Sequence, residues 1–542
     1  MDAVTHPPAP VNERVRDYAP GSPERASLEA RVKELAAERV ELTATIDGEQ
    51  RMAGGEPIDV VQPHRHAAVL GTTAQATAAD VQAAVDAALR AGPAWRDLPY
   101  DERAAIMLRA ADLLAGPWRD TLNAATMLGQ SKSCYQAEID SAAELVDFLR
   151  FNVHFGRRVL EEQPGSAAGA WNRMDHRPLE GFVLAITPFN FTAIAGNLPL
   201  APALMGNTVV WKPSPTQQLA AHHTMRLLEA AGLPPGVVNM VTGDGQAVSE
   251  VALTHPSLAG VHFTGSTRTF QHIWATVGRS LSGYRGYPRL VGETGGKDFV
   301  VAHPSADPRA LVTGLVRGAF EYQGQKCSAA SRAYLPRSLW EGGLRDELGQ
   351  TTESIVYADV TDLSVFGGAV IDRRAFDRLT GVLDRIRSAP DTEILAGGRA
   401  HGETGYFVEP TVVTSTNPNH EIFTTEYFGP ILGVLVYDDG DWEGMLAQAA
   451  DVAPYALTGS VFATDRAAVR QADAALRFSA GNFYVNDKPT GAVVGQQPFG
   501  GARASGTNDK AGSILNLLRW VSPRTIKETF APPTDYRYAH QG

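Results

Sequence analysis

The chain has 542 residues, 44% hydrophobic and 20% charged, with a formal net charge of −12; that length predicts two or three domains with sizeable cores. The acidic balance argues against non-specific nucleic-acid binding, which draws on clustered Lys and Arg, and no apolar run is long enough for a membrane span. Two cysteines, Cys134 and Cys327, exclude a disulfide framework and a structural zinc site, so no metal is expected, and a reducing cytoplasm is the simplest reading.

In chain order, MDAVTHPPAPVNERVRDYAP is polar and Pro-rich, without the basic start and apolar core of a signal peptide. It reads as an arm lying on something else, or as disordered chain. Ser22, Pro23 and Glu24 form a helix start, continued by RASLEARVKELAAERVEL. Apolar residues recur at helical spacing in ADVQAAVDAALRAG, DERAAIMLRAADLLAG and CYQAEIDSAAELVDFLRFN. From Gly181 the texture changes. GFVLAI, NTVVWKP, VVNMVTG and GVHFTG each lead into a helical run. This rhythm predicts an α/β fold, a parallel sheet with helices on both faces. A second α/β block begins near Lys297 with FVVAHP, carries Cys327 and ends about Ala480. The segment NFYVNDKPTGAVVGQQPFGGARASG reads as loop.

Three stretches bear on a cofactor. GDGQAV lacks the last glycine of the dinucleotide fingerprint and reads as a plain strand-to-helix turn. In FTGSTRTF, Gly265, Ser266 and Thr267 sit where a strand meets a helix. Amides and a hydroxyl there suit a pyrophosphate, although Ser and Thr are also ordinary helix caps. VVWKPS puts Lys212 at a strand end, the ligand-binding edge of doubly wound sheets; alone, it reads as a solvated amine.

EYQGQKCSAASR holds Cys327 among small residues, either as a buried filler or as a nucleophile with open space around its sulfur. A cysteine attacks as thiolate, which Lys326 and a nearby helix end are expected to favour. Cys134, on a helical pattern, reads as a small packed residue. Asn190 in TPFNF follows a strand end and offers an amide for an oxyanion hole. Glu293 in GETGGKD offers a general base if burial raises its pKa. Singly, Asn190 is a turn residue and Glu293 a loop charge; together, behind a βα block, they suggest a site.

The set TPFNF, VVWKPS, FTGST, GETGGK, GQKCSAASR, EYFGPI and PFGGARASG, in order over nearly the whole chain, resembles the aldehyde dehydrogenase superfamily. NFTAIAGNLPLAPALMGN, QAEIDSAAELVDFLRFN and VGQQPFGGARASGTNDKAG are similar to its L-glutamate γ-semialdehyde (1-pyrroline-5-carboxylate) dehydrogenase branch, of the monofunctional bacterial type. The resemblance implies the aldehyde dehydrogenase fold: a Rossmann-like NAD-binding domain, an α/β catalytic domain and a small β oligomerisation flap. It implies NAD-dependent oxidation of glutamate semialdehyde to glutamate, the second step of proline degradation. Cys327 would attack the aldehyde, the Asn190 amide and Cys327 N–H would hold the oxyanion, and Glu293 would activate the water that releases the product from a thioester.

The same resemblance implies further roles. Thr187 and Lys212 would contact the adenosine ribose side of NAD, Gly265, Ser266, Thr267, Arg268 and Thr269 would meet the pyrophosphate, and Pro188, Phe189 and Ser214 would also bind the cofactor. Glu426 would hold the nicotinamide ribose, with Phe428 beside it. Ser214 stands where many NAD-preferring relatives carry glutamate, which leaves room for NADP. Ser328, Gly491 and Ala492 would anchor the substrate's carboxylate, with alanine where other members have serine. Phe191 and Phe499 would sandwich its aliphatic chain, and Lys326 and Glu144 would complete the substrate site. The expected divisions are an N-terminal arm and helix (1–50), an NAD-binding domain (51–155 and 181–296), the flap (156–180 and 518–542), a catalytic domain (297–481) and a C-terminal active-site loop region (482–517).

A homodimer or higher homo-oligomer is implied, as is a stand-alone cytoplasmic enzyme making transient contact with proline dehydrogenase. Three rivals remain: a dehydrogenase for another semialdehyde, an acyl transferase using coenzyme A, and a non-catalytic relative. Glu293 argues against the second, and the retained Cys327, Asn190 and Glu293 against the third.

Overall fold

A computed structural model describes residues 4–542. Two seven-stranded sheets carry the architecture. In the first, Arg289–Glu293, Leu258–Thr264, Phe182–Ile186, Thr208–Lys212 and Val238–Met240 lie side by side and parallel. The rhythm that begins at Gly181 is the reason: each strand returns through a helix, which permits only parallel pairing. Phe182 and Leu184 face one layer of helices, with Val81, Val85 and Ile273, while Val183 and Ala185 face the other, with Met107, Leu145 and Leu198. Alternate residues of one strand thus enter two cores.

Two antiparallel strands, Ala44–Ile46 and Glu49–Arg51, extend this sheet beyond Val238–Met240. Asp47 and Gly48, both at positive φ (56° and 80°), make the tight turn between them, the conformation that Asp-Gly pairs favour in hairpins. The first sheet therefore draws on residues ahead of position 51.

The second sheet runs Thr392–Ala396, Thr411–Ser415, Ile431–Tyr437, Ala330–Pro336, Asp298–Ala302, Thr458–Phe462 and Asn482–Val485. Only Thr392–Ala396 is antiparallel to its neighbour. Asn482–Val485 stands where the sequence reads as loop: it pairs in parallel with Thr458–Phe462. Four residues between Gly481 and Asn486 are too short a run to stand out in a Gly-rich segment.

Ala170–Pro178 pairs antiparallel with Val521–Thr529 over nine residue pairs and forms a two-stranded ribbon outside both sheets. The helix leading toward it runs from Cys134 to Glu161, interrupted by a π-helical stretch at Glu138–Glu144. Such wide turns re-aim side chains and concentrate at functional sites.

The helix predicted at Ser22 starts there, with the Ser22 hydroxyl accepting from Arg25 N and Pro23 in the first turn. Ahead of it the arm lies on the body. Arg16 N and the Tyr18 hydroxyl both donate to Glu138, at 2.8 Å each, and Glu13 receives Arg119 and Arg150. Among the described residues no helix is long and apolar enough to cross a membrane.

Candidate active site

A cavity of about 420 Å³ opens where the two sheets meet, lined by Cys327, Glu293, Phe191, Phe499, Glu144 and Gly491 among others. Cys327 lies in the turn that follows Glu321–Gly324. Tyr322, Gln323 and Gly324 all have positive φ (49°, 53° and 64°), a costly run for two non-glycine residues. Buried hydrogen bonds hold it: Gln323 Nε2 donates to the carbonyls of Ser131 (2.9 Å) and Ala369 (2.8 Å), and Gln325 Oε1 accepts from Ile371 N. Gly324 is required, because a Cβ there would stand 2.3 Å from the Gly429 carbonyl oxygen.

The thiol's setting differs from the expected one. The Lys326 ammonium turns to Glu321, 3.0 Å away. Burial pushes the Cys327 thiol well up, and the nearby carboxyl groups of Glu293, Asp298 and Glu426 push it further. Lys326 is itself buried and lowered to about 8.

Asn190 Nδ2 donates to the Gln325 carbonyl at 3.0 Å, which fixes the amide beside the Cys327 turn while Asn190 itself stands outside the cavity lining. Glu293 ends a strand, and its backbone carbonyl accepts from Gly265 N. Burial raises its carboxyl to about 8, with Lys510 opposing. Its Oε1 has no hydrogen-bond partner; a buried, unpaired oxygen on the cavity wall is suited to taking a proton. Glu144 opens on the same cavity but is otherwise enclosed. Burial and the neighbouring Asp140 hold it well above the usual carboxylate range.

All seven predicted substrate positions line this one cavity: Phe191, Lys326, Ser328, Gly491, Ala492, Phe499 and Glu144. Ser328 Oγ and Thr490 Oγ1 lie 2.8 Å apart, tying the Cys327 turn to the loop that carries Gly491. Gly491 has φ 93°, which a side chain would disfavour.

The predicted cofactor positions lie apart from that lining. Thr187, Lys212 and Gly265 sit just at or beyond the carboxyl ends of three adjacent parallel strands, where such sheets bind ligands. Thr187 N donates to the Lys212 carbonyl, and Trp211 Nε1 to the Thr187 hydroxyl. Lys212 is buried, not solvated: its amine reaches the Pro213 carbonyl, and burial lowers it to about 8. Ser214 pairs with Thr216. Ser266 caps the helix Thr267–Arg279 by accepting from Thr269 N, Thr267 donates to the Ala504 carbonyl, and Arg268 is exposed. Half-buried Pro188 precedes Phe189, which meets Phe428 edge-on at 5.8 Å. Glu426 Oε1 accepts from Gly296 N at 2.9 Å, and burial raises this carboxyl to about 7.

These residues fit a dinucleotide. Gly265 leaves backbone at a helix start, where amides favour a pyrophosphate. A Cβ on Gly295 would come within 2.0 Å of the Glu426 carboxylate, so glycine keeps that carboxylate in place.

Several contributors escape a sequence reading. Lys132 and Asp140 form a fully buried pair at 2.8 Å behind Phe191. Lys488 shares Glu321 with Lys326. Asn12 and Glu13 reach the cavity from the distant arm. None carries a motif; each is placed by folding alone, and Asp140 lies within the π-helical stretch Glu138–Glu144.

The profile of the aldehyde dehydrogenase family matches residues 50–526. Over its whole length the chain is similar to the crystal structure of the Δ-pyrroline-5-carboxylate dehydrogenase from Mycobacterium tuberculosis bound with NAD, at 61% identity and a TM-score of 0.97, covering 100% of both chains. It is 49% identical to the probable Δ-1-pyrroline-5-carboxylate dehydrogenase of Schizosaccharomyces pombe, over 97% of this chain and 96% of that one. It also resembles proline utilization A from Bdellovibrio bacteriovorus, at 29% identity and a TM-score of 0.91, where 98% of this chain covers 54% of that one.

Proposed function

The chain belongs to the aldehyde dehydrogenase family, and we propose that it oxidises L-glutamate γ-semialdehyde, the open form of 1-pyrroline-5-carboxylate, to L-glutamate with NAD⁺ in proline degradation. The observation that carries this reading is the shared cavity: Cys327 and Glu293 face it together with Ser328 and Gly491. That combination supplies a nucleophile, a base and an anchor for a charged head group. The names of the relatives at 49% and 61% identity agree with it.

Cys327 releases its proton to solvent and its thiolate sulfur bonds to the aldehyde carbon, whose C=O π electrons pass to the oxygen. The oxygen that becomes negative is met by the Asn190 amide and the Cys327 N–H. Thr187, Lys212 and the segment from Gly265 to Thr269 would hold the adenosine and pyrophosphate half of the cofactor, and Glu426 the nicotinamide ribose; bound there, NAD⁺ supplies the hydride acceptor. Cys327 then holds the acyl group as a thioester. Glu293 takes a proton from water, the hydroxide adds to the acyl carbon, and the sulfur leaves as glutamate forms. The pair Phe191 and Phe499 would flank the substrate's methylenes, and Ser328 with the amides around Gly491 would receive its carboxylate.

In this reading the first sheet block binds the cofactor, the second carries the nucleophile, and the ribbon of Ala170–Pro178 and Val521–Thr529 joins subunits of a homodimer or larger assembly. The enzyme works in the cytoplasm. Likeness to proline utilization A supports a transient encounter with proline dehydrogenase.

The test is NADH formation from 1-pyrroline-5-carboxylate, beside an aliphatic aldehyde of matching length and a Cys327→Ala variant. Strong preference for the amino-acid aldehyde, abolished by the substitution, is expected. Equal turnover of the plain aldehyde removes the anchor and the substrate named here.

A further inference from the structure

The cavity has one wall from an unexpected source. Asn12, Glu13 and Val15 line it, yet they belong to the arm ahead of the family match, which begins at residue 50. Among the described residues the arm has no regular secondary structure before the helix at Pro23, and hydrogen bonds and ion pairs to the body hold it there.

Asn12 makes those bonds with every polar atom of its amide. Nδ2 donates to Asp147 Oδ2 at 2.7 Å and to the Val494 carbonyl at 2.9 Å. Oδ1 accepts from Gln496 Nε2 at 2.9 Å. Beside it, Glu13 N donates to Asp147 Oδ1 at 2.6 Å. Asp147 sits on the helix Leu145–Glu161 and is 4% exposed. Val494 and Gln496 lie three and five residues beyond Gly491. The loop between has little structure of its own, and both Gly491 and Gly495 are at positive φ (93° and 81°). One amide thus ties the loop carrying these two glycines to the helix Leu145–Glu161. The Glu13 carboxylate fastens the arm from behind, receiving Arg119 at 2.8 Å and Arg150 at 2.7 Å.

We propose that Asn12 is a positioning residue for the substrate's head group: by bridging Asp147 to Val494 and Gln496 it sets the loop around Gly491 for an α-amino-acid carboxylate, and so tunes specificity from outside the family domain. The inference rests on the substrate reading above and deepens it. A neutral aldehyde needs Cys327, Asn190 and Glu293 but makes no use of the anchor. Loosening the bridge therefore weakens only the charged substrate.

Steady-state kinetics of Asn12→Ala and Asn12→Asp, in the full chain, test this with 1-pyrroline-5-carboxylate and with hexanal. Asn12→Asp keeps the shape but sets a second carboxylate against Asp147 and donates nothing. For both variants KM for 1-pyrroline-5-carboxylate is expected to rise about tenfold, the scale of one or two lost hydrogen bonds, with kcat and the KM for hexanal unchanged. Gln496→Ala, at an exposed site, is expected to shift KM in the same direction by less, and serves if neither Asn12 variant folds. Equal loss with both aldehydes, or an unmoved KM, overturns the proposal. An unaltered enzyme without preference for the amino-acid aldehyde overturns the substrate reading, and this inference with it; a preference undiminished in every variant overturns this inference alone.

Discussion

Lys326 adjoins Cys327 in the chain, yet its ammonium lies 3.0 Å from the Glu321 carboxylate, which also receives Lys488 at 3.0 Å. Two lysines and one buried carboxylate make a closed group, and that carboxyl is held down to about 2. The other charged neighbours of Cys327 are Glu293, Asp298 and Glu426. Burial and these carboxyl groups together favour the thiol over the thiolate.

Iodoacetamide is therefore expected to modify Cys327 roughly tenfold more slowly at pH 7 than a free thiol of ordinary pKa. The rate should climb with pH without a plateau near 8.5. In Glu293→Gln it should be faster than in the unaltered enzyme above pH 8, where Glu293 is charged, and nearly the same at pH 6. Stopped-time alkylation with mass-spectrometric readout of the Cys327 peptide decides it. A fast reaction at pH 6 would show that some cation does reach the sulfur.

Glu293 is raised to about 8 by burial. As a base it works only when ionised, so thioester hydrolysis is expected to rise through pH 8, and Glu293→Gln to lose that limb and about 10²–10³ in kcat. Stability should move the opposite way. The folded carboxyl keeps its proton up to about pH 8, whereas the unfolded one loses it near its ordinary value. The favourable contribution is complete below the unfolded pKa and is lost as pH rises toward 8. The difference in Tm between Glu293→Gln and the unaltered enzyme should grow in favour of the variant from pH 5 to pH 8. A flat difference would mean that the carboxyl ionises normally.

Much of this site was legible because its chemistry needs fixed residue types at fixed places. Glycines around Glu293, an amide after a strand end and small residues after Cys327 each leave a signature along the chain. The βα rhythm from Gly181 likewise marked four of the five parallel strands; Arg289–Glu293 was added by the structure. What stayed hidden is held by contacts across the fold. Asn12 meets Val494 at a separation of 482 residues, and no local pattern announces such a pair. Asn482–Val485 is a strand because Thr458–Phe462 offers an open edge, not because four residues insist on it. The turn of Lys326 toward Glu321 depends on the left-handed run between them, which sequence spacing does not reveal.

The buried pair Lys132 and Asp140 supports the wall that Phe191 presents to the cavity. Asp140 accepts from Thr192 N at 3.0 Å and Ala193 N at 2.9 Å, and Lys132 lies 4.1 Å from the Phe191 ring centre. Asp140→Ala would strand a buried cation and free two amides at a helix start. A loss of about 3–5 kcal/mol is expected, read by urea denaturation at pH 7. A loss under about 1 kcal/mol would imply that water replaces the carboxylate.

Two glycines separate cofactor geometry from general stability. At Gly295 a Cβ would lie 2.0 Å from Glu426 Oε2 and 2.5 Å from its carboxyl carbon. The carboxylate must then move, losing its bond to Gly296 N and, on the function proposed above, its hold on the nicotinamide ribose. At Gly278, in the helix Thr267–Arg279, a Cβ meets nothing within 4 Å. Alanine there replaces a poor helix former with a good one, worth about 0.5–1 kcal/mol. Gly295→Ala is expected to weaken NADH binding at least tenfold, equivalent to about 1.4 kcal/mol, with little change in Tm. Gly278→Ala is expected to raise Tm slightly and leave binding alone. Fluorescence titration of NADH and thermal melts on both variants supply the comparison. If Gly295→Ala binds NADH normally, Glu426 does not hold the nicotinamide ribose, and its raised carboxyl must instead serve the packing around Lys297 and Asp298.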